Sequence, residues 1–531
     1  MPKALVSDPV SEAGIAPLRA VEGIEVVVRT GMKPEELKEI IGEYDALIVR
    51  SETKVTADIL SSADCLKVIG RAGVGVDNID LRAATELGVV VINSPDGNTI
   101  AAAELTVGLI LALARNIPAG DASLRSGKWE RKKFIGVELY GKTVGIVGLG
   151  RIGYAVAERL KGFGVTLITY NPFVPEEVTR RMGVDPITLD ELLERSDFIT
   201  VHTPLNDSTR GMIGAAQFSR MKNGVRLVNV ARGGIIDEDS LAVAVKSGKV
   251  AGFALDVFSK EPPLPDNPLL SLPGCVVTPH LGASTKEAQW KVAFDVSSQI
   301  ADMLQGRPPR TPVNLPTLSD EEQQRLLPYQ RLAAAIGSMH MQLAQASGQT
   351  ITAIEVVFHG DFDDMPTAPI TRSVLRGLMT PLQSGTVNLV NAPYLAELRG
   401  IKAVEKRREP TPDHGCLLSV YAVQQNGEER TLCGTVYDNE AHIVHINGYH
   451  LDIVPQGSMV VTEHTDRPGI IGRVGMLLGE KGINIAGMHV GREASGGKAV
   501  MAILVDEPVP PDLMKQIREV GGLETACLVT F

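Results

Sequence analysis

The segment Thr143-Val144-Gly145-Ile146-Val147-Gly148-Leu149-Gly150-Arg151-Ile152-Gly153 decides how the chain is read. Apolar residues at Val144, Ile146 and Val147 predict a short buried strand, and Tyr154–Phe163 has the pattern of a helix. Between them Gly148, Gly150 and Gly153 fall in the spacing G-x-G-x-x-G. In a strand–turn–helix setting the first glycine permits the tight turn. The second lets a pyrophosphate approach the backbone, and the third lets helix and strand pack closely. The anion then meets the free N–H groups and the positive end of the helix. The stretch therefore predicts a dinucleotide site on a parallel α/β sheet.

Working outward, residues 3–93 alternate apolar runs with helical stretches: Ala4–Val6, Glu25–Val28, Ala46–Val49, Lys67–Ile69 and Val89–Ile92. This is the pattern of βα units around a parallel sheet, whose ligands gather at the C-terminal strand ends. Arg50 and Lys54 follow the third run and Arg71 the fourth. The glycines of Arg71-Ala72-Gly73-Val74-Gly75-Val76-Asp77 could shape an anion-binding nest. Beyond the central motif come Leu167–Tyr170, Phe198–His202, Arg226–Asn229, Gly252–Leu255 and Val276–Thr278, again as βα units. Leu167–Tyr170 ends at Asn171, where the fingerprint expects an acidic group for the ribose hydroxyls. Asparagine can bond a ribose but lacks the charge that repels a 2′-phosphate, which predicts a preference for NAD over NADP less absolute than aspartate gives.

Ser284-Thr285-Lys286-Glu287 reads as a capping box opening a long helix that stops near Gly306. Its place predicts that the chain crosses back to the first sheet. Arg307–Pro316 is Pro-rich and reads as a linker. Residues 317–452 predict a separate α+β unit. There Arg372, Arg376, Arg399, Lys402, Lys406, Arg407 and Arg408 either line an anion site or decorate a solvated helix face. Asn447-Gly448 predicts a two-residue hairpin turn pairing His445 with His450, with His442 on the other face and no metal site. Residues 458–531 have a βαββαβ order, with Asp466 and Asn484 in loops where they could hold a small ligand.

With 531 residues the chain has room for several cores, and its net charge of −11 argues against general nucleic-acid or anionic-membrane binding. Its five scattered cysteines, with no C-x-x-C pair, fit reduced thiols and a cytoplasmic protein. A core-like strand at Met1–Asp8 leaves no room for a signal peptide. The helix Ile100–Ala114 carries Glu104 and is too short to span a bilayer.

Three residues carry chemistry together: Arg232, Glu261 and His280, each just after a predicted strand of the second sheet. Arginine's planar fork suits a carboxylate. Histidine can take a hydroxyl proton as hydride leaves carbon, and a glutamate partner fixes its tautomer and favours its charged form. This set fits oxidation of a 2-hydroxy acid. Two rivals stay open on residues alone: a dehydrogenase for an unphosphorylated acid such as glyoxylate or lactate, and a dinucleotide-sensing scaffold that keeps the fold.

Gly148–Gly153, Arg232, Glu261 and His280 resemble the D-isomer-specific 2-hydroxyacid dehydrogenase family. Arg71–Asn78 and the terminal segment, which resembles an ACT domain, narrow the likeness to its long-form branch acting on 3-phosphoglycerate. The resemblance implies two Rossmann-like parallel-sheet domains. One is discontinuous and binds substrate (1–98 and 285–310), and the other binds the dinucleotide (99–284). An intervening α+β domain (317–452), with a candidate anion effector site, and an ACT-like regulatory domain (458–531) follow. It implies NAD-dependent oxidation of 3-phosphoglycerate to 3-phosphohydroxypyruvate, the first committed step of serine synthesis, in a homo-oligomer, dimer or tetramer. It makes His280 the proton donor and acceptor, Glu261 its partner and Arg232 the carboxylate anchor. Cofactor contacts fall on Val74, Gly148, Gly150, Arg151, Ile152, Gly153, Asn171, Thr203, Val230, Ala231, Arg232, Asp256, His280, Gly282, Ala283 and Ser284. Arg50, Lys54, Arg71, Gly73 and Arg232 fall on the substrate side. Asp466 and Asn484 match positions that hold serine across a pair of such domains.

Overall fold

In the computed structural model the described residues are 1–362, 364–383, 385–411 and 415–531. The first sheet contains β1 (Lys3–Val6), β2 (Glu25–Val28), β3 (Ala46–Val49), β4 (Val68–Arg71) and β5 (Val90–Asn93), all parallel, in the order β2-β1-β3-β4-β5. Its central strands have both faces covered, which is why Ala4–Val6 and Ala46–Val49 are continuous apolar runs with no exposed side chain. Each such Leu, Ile or Val side chain contributes roughly 1.5–3 kcal/mol by burial.

The second sheet contains β6 (Thr143–Val147), β7 (Thr166–Tyr170), β8 (Asp185–Pro186), β9 (Phe198–Val201), β10 (Val225–Asn229), β11 (Val250–Leu255) and β12 (Cys275–Val277). They run parallel in the order β12-β11-β10-β9-β6-β7-β8, so the order reverses at β6 and β9. The chain enters this sheet through the helix Thr99–Arg115. That helix buries Ala102, Thr106, Leu109, Ile110 and Leu113, one apolar face at helical spacing. It leaves through the helix Lys286–Leu304, whose Val296, Ile300 and Ala301 pack with Ala4, Val6 and Ile48 of the first sheet. After β12 the chain thus packs back onto the first sheet. The cap of this helix lies one residue later than the expected box: Thr285, not Ser284, accepts the backbone N–H of Ala288.

The third sheet is mixed. It holds β13 (Ile351–Gly360), β14 (Lys402–Arg408), β15 (Cys416–Gln424), β16 (Glu429–Tyr437), β17 (Glu440–Ile446) and β18 (Tyr449–Ile453), ordered β14-β13-β15-β16-β17-β18. The helices Asp320–Ala346 and Ala368–Met379 cover one face. Lys402–Arg408 form its exposed edge strand rather than a helix face, the arrangement by which charge keeps an edge from further pairing. Lys406 and Arg408 pair with Glu355 there, while Arg372 and Arg399 donate to the carbonyls of Leu389 and Leu382. His445 and His450 are cross-strand partners, as the turn predicts. A bulge between Ile443 and His445 alters the alternation, so His442, opposite Thr435, shares a face with His445, opposite Cys433. His442 pairs with Asp452 at 2.7 Å. Among the described residues no group of three His, Cys, Asp or Glu is placed to hold a metal ion.

The fourth sheet is antiparallel: β19 (Ser458–Thr465), β20 (Ile485–Arg492), β21 (Lys498–Val505) and β22 (Leu523–Thr530), ordered β20-β21-β19-β22. The helices Ile470–Glu480 and Pro511–Arg518 pack on one face. The helix Asp320–Ala346 lies on the other, among Met459, Val461, Ala502 and Val529. No single helix among the described residues is long and apolar enough to cross a membrane.

Candidate active site

The quoted turn behaves as its spacing requires. Gly148 has φ +94°, and a Cβ on Gly153 would lie 2.1 Å from the Gly148 carbonyl oxygen, so both positions exclude a side chain. Gly150 is the N-cap of the helix Arg151–Leu160, with no capping side chain and open space where its Cβ would be. Thr203, after β9, buries a hydroxyl oxygen without a hydrogen-bond partner. An uncapped helix start, an open glycine and an orphaned hydroxyl at the point of strand-order reversal fit a dinucleotide's phosphates. Asn171, just past β7, accepts the Phe173 N–H through Oδ1 (3.1 Å). Ile152 is half-buried and Val230 buried against the same sheet.

Because β10, β11 and β12 are adjacent and parallel, the residues that follow them share one edge. His280 Nδ1 and Glu261 Oε2 are 2.7 Å apart, and Glu261 Oε1 accepts the Phe258 N–H at 3.0 Å. Burial opposes ionisation of Glu261. The hydrogen bonds from His280 and Phe258, and the charges of His280 and Arg232, outweigh it and hold the carboxyl below its ordinary value. His280 itself has φ +54°, a costly conformation for a residue with a side chain. It is held by its N–H, which donates to the Asp256 carbonyl.

Asp256 is fully buried, and its carboxylate accepts the Thr278 hydroxyl (2.6 Å) and the N–H groups of Leu281 (2.7 Å) and Gly282 (2.9 Å). Burial raises its pKa against those bonds. It thus braces the turn through Gly282, Ala283 and Ser284 that follows His280. Asn229 does the same for the preceding loop, accepting the Ala231 N–H and donating to the Arg232 carbonyl.

Arg232 leans across to the first sheet's loops: its Nε donates to Asp77 Oδ2 at 2.9 Å and one terminal nitrogen to the Ala231 carbonyl at 2.7 Å. Beside it Arg71 buries an unpartnered Nε. Burial first, then the charges of Arg232 and Arg50, bring Arg71 down to about 10 despite Asp77 and Asp8, so it is still a cation at neutral pH. The glycines of this turn have a steric purpose beyond an amide nest. A Cβ on Gly73 would fall 1.6 Å from an Arg71 terminal nitrogen, and one on Gly75 1.6 Å from an Arg232 terminal nitrogen. Val74 lies between them, its carbonyl accepting from Asn93.

Arg50 is half-buried, and its loop is organised by Asp8. The buried carboxylate of Asp8 accepts the N–H groups of Arg50 (2.6 Å), Glu52 (3.2 Å) and Thr53 (3.0 Å) and the Thr53 hydroxyl. Lys54 stands exposed at the end of that loop. Arg151 pairs at 2.7 Å with Asp96, in the crossing that follows β5. Sequence reading passed over Asp8, Asp77, Asn229 and Asn98. Asn98 and Thr99 start the helix Thr99–Arg115 with buried, unpartnered side-chain oxygens. Their position reads as an ordinary helix cap in one dimension. Asp77 stands in the glycine turn itself, a visible but silent signal.

Residues 107–282 match the family described as D-isomer specific 2-hydroxyacid dehydrogenase, NAD binding domain. Residues 325–447 match the D-3-phosphoglycerate dehydrogenase intervening domain, and 458–522 the ACT domain. The chain is 46% identical over 529 residues to a D-3-phosphoglycerate dehydrogenase of Archaeoglobus fulgidus, covering 99% of each. It is 41% identical to that of Bacillus subtilis, again covering 99% of each. The chain belongs to the D-3-phosphoglycerate dehydrogenase family. Among solved structures it is similar to an NAD-dependent formate dehydrogenase from Staphylococcus aureus in complex with NAD, with TM-score 0.52 and 31% identity over 58% of this chain and 97% of that one. Membership of the D-3-phosphoglycerate dehydrogenase family makes the chain an NAD-dependent oxidoreductase with an ACT domain. The glycine turn lies within the matched NAD-binding domain.

The ACT-domain positions are arranged differently from the active site. Asp466 follows β19 and pairs with Arg492 at 2.8 Å, a bond that lowers its pKa. Asn484 precedes β20 and donates to Asp506 at 2.6 Å. Since Thr465 pairs with Lys498 but Ile485 with Val505, the two lie at opposite ends of the eight-residue strands, roughly 25 Å apart at the usual rise. One chain does not bring them together.

Proposed function

We propose that the chain oxidises 3-phospho-D-glycerate to 3-phosphohydroxypyruvate, the entry step to serine. The observation that carries this reading is the 2.7 Å Glu261–His280 pair sharing one crevice with the Arg232, Arg71 and Arg50 cations. Bound NAD supplies the hydride acceptor. Arg232 receives the substrate carboxylate, and Arg71, Arg50 and Lys54 the phosphate side. His280 Nε2 takes the C2 hydroxyl proton as the C2 hydride departs, leaving a 2-oxo acid. Glu261 holds Nδ1–H and stabilises the imidazolium. Cofactor contacts are assigned to the residues named above from Val74 to Ser284, with Asp256 acting by bracing the Gly282 turn.

Residues 1–98 and 285–310 then form the substrate domain, 99–284 the cofactor domain, 317–452 the intervening domain and 458–531 the effector domain. Serine binds between ACT domains of two copies, using Asp466 of one and Asn484 of the other. Homo-oligomer formation is also supported by the exposed side chains of Ile117, Leu124, Trp129, Ile135 and Tyr140. Five unpaired cysteines support a cytoplasmic location.

Steady-state NAD reduction with 3-phosphoglycerate, compared with glycerate and repeated with serine, tests the whole. Equal kcat/KM for both acids overturns the phosphate assignment, and an unchanged rate at millimolar serine overturns the feedback. Asn171→Asp is expected to raise the NAD-to-NADP selectivity about tenfold by like-charge repulsion of a 2′-phosphate. An unchanged ratio refutes Asn171 as the selector.

A further inference from the structure

The Arg232–Asp77 contact joins loops of two different sheets, 155 positions apart in sequence. The Arg232 side chain is about a quarter exposed, and part of its donor set is engaged. Nε is taken by Asp77, one terminal nitrogen gives a proton to the Ala231 carbonyl, and the other lies over Gly75 where no side chain intervenes. The bond to Nε fixes the plane of the guanidinium. It leaves the edge formed by the two terminal nitrogens, the edge that matches a carboxylate in two parallel bonds, for a ligand. Arg71 adds a second cation beside it, and Asp77 offsets part of the repulsion between the two.

We propose that Asp77 is a positioning residue for the substrate carboxylate: from the first sheet it locks the Arg232 fork in the orientation that receives a 2-hydroxy acid. This rests on the assignment of Arg232 as the anchor. It also makes recognition conditional on the two sheets being close, because the anchor lies on one and its brace on the other. A crevice held apart would leave Arg232 able to rotate away, so acid binding and closure favour each other.

The test uses the full-length chain. Oxalate, a planar carboxylate probe, is titrated calorimetrically into the NAD-saturated protein, alongside KM for 3-phosphoglycerate, KM for NAD and the unfolding midpoint. Asp77→Ala is expected to weaken oxalate and raise the acid KM about tenfold, a bracing bond to a charged group being of that order. KM for NAD should stay within about twofold. Asp77→Asn, which keeps an oxygen acceptor, is expected to recover most of the loss. In an Arg232→Lys background, which lacks the Nε donor, adding Asp77→Ala is expected to cost nothing further. Unchanged or tighter oxalate binding by Asp77→Ala overturns the proposal, tighter binding marking Asp77 as a competitor instead. So does equal loss of NAD affinity, or an additive double variant. Oxalate binding untouched by Arg232→Lys alone overturns the anchor assignment and this inference with it.

Discussion

The crevice between the two parallel sheets and the terminal antiparallel sheet place their candidate ligand groups in opposite ways. In the crevice every strand runs the same direction, so loops after β10, β11 and β12 all emerge at one edge. Arg232, Glu261 and His280 converge within one chain. In the terminal sheet successive strands alternate, and the loop bearing Asp466 opens at the end opposite Asn484. A parallel sheet makes a site by itself, whereas an antiparallel one with groups at both ends makes half of two.

The largest test of this contrast is His280→Ala. If convergence creates the chemistry, kcat falls about 10²–10⁴-fold, far more than NAD binding followed by fluorescence titration weakens through loss of the one His280 contact. A fall below tenfold breaks the crevice half. The terminal half is broken or sharpened by mixing. Asp466→Ala and Asn484→Ala chains are each expected to ignore serine, while oligomers reassembled from both recover part of the inhibition, since one paired site regains both groups. No recovery would mean that each chain needs its own two residues.

A smaller effect separates a crowded glycine from a free one. Gly75→Ala puts a methyl 1.6 Å from the Arg232 guanidinium and is expected to raise the acid KM about tenfold. Gly472→Ala, in the helix Ile470–Glu480 with nothing within 4 Å, is expected to stabilise by about 0.5–1 kcal/mol and raise the unfolding midpoint. Equal effects would remove the distinction.

The smallest concerns pH. Glu261 is held below its ordinary value, so its contribution to stability is complete above the unfolded value of about 4.3 and is lost as pH falls through the lower folded one. The unfolding-midpoint difference between wild type and Glu261→Gln should therefore shrink as pH falls through the folded value of Glu261 and vanish only in strong acid. A difference that disappears near pH 6 would contradict it.

What could be read from the sequence follows from the range of the interactions. Strands β1, β3 and β4 are buried on both faces and appear as apolar runs, and the glycine turn shows itself in the spacing of three residues. Both were legible. The histidine hairpin was legible in its pairing but not in its face, since a single bulged residue reverses alternation without leaving a mark in composition. The cationic run Lys402–Arg408 hid an edge strand because charge at an exposed edge resembles charge on an exposed helix. Asp8 and Asp77 were invisible as site residues because their partners lie in other loops, those of Thr53 and Arg232.

The helix Lys286–Leu304 has a mechanical corollary. It returns the chain to the first sheet, so the two sheets are tied by two covalent crossings, one between Asn93 and Thr99 and one between Val277 and Lys286. Two ties define a line. The cheap motion is rotation about that line, like a door on a pair of pins, while sliding and twisting would stretch the chain. Of the two ion pairs that span the sheets, Arg151–Asp96 lies at the first tie, since Asp96 falls between Asn93 and Thr99, whereas Arg232–Asp77 joins loops outside both ties and is the one such a rotation would have to part.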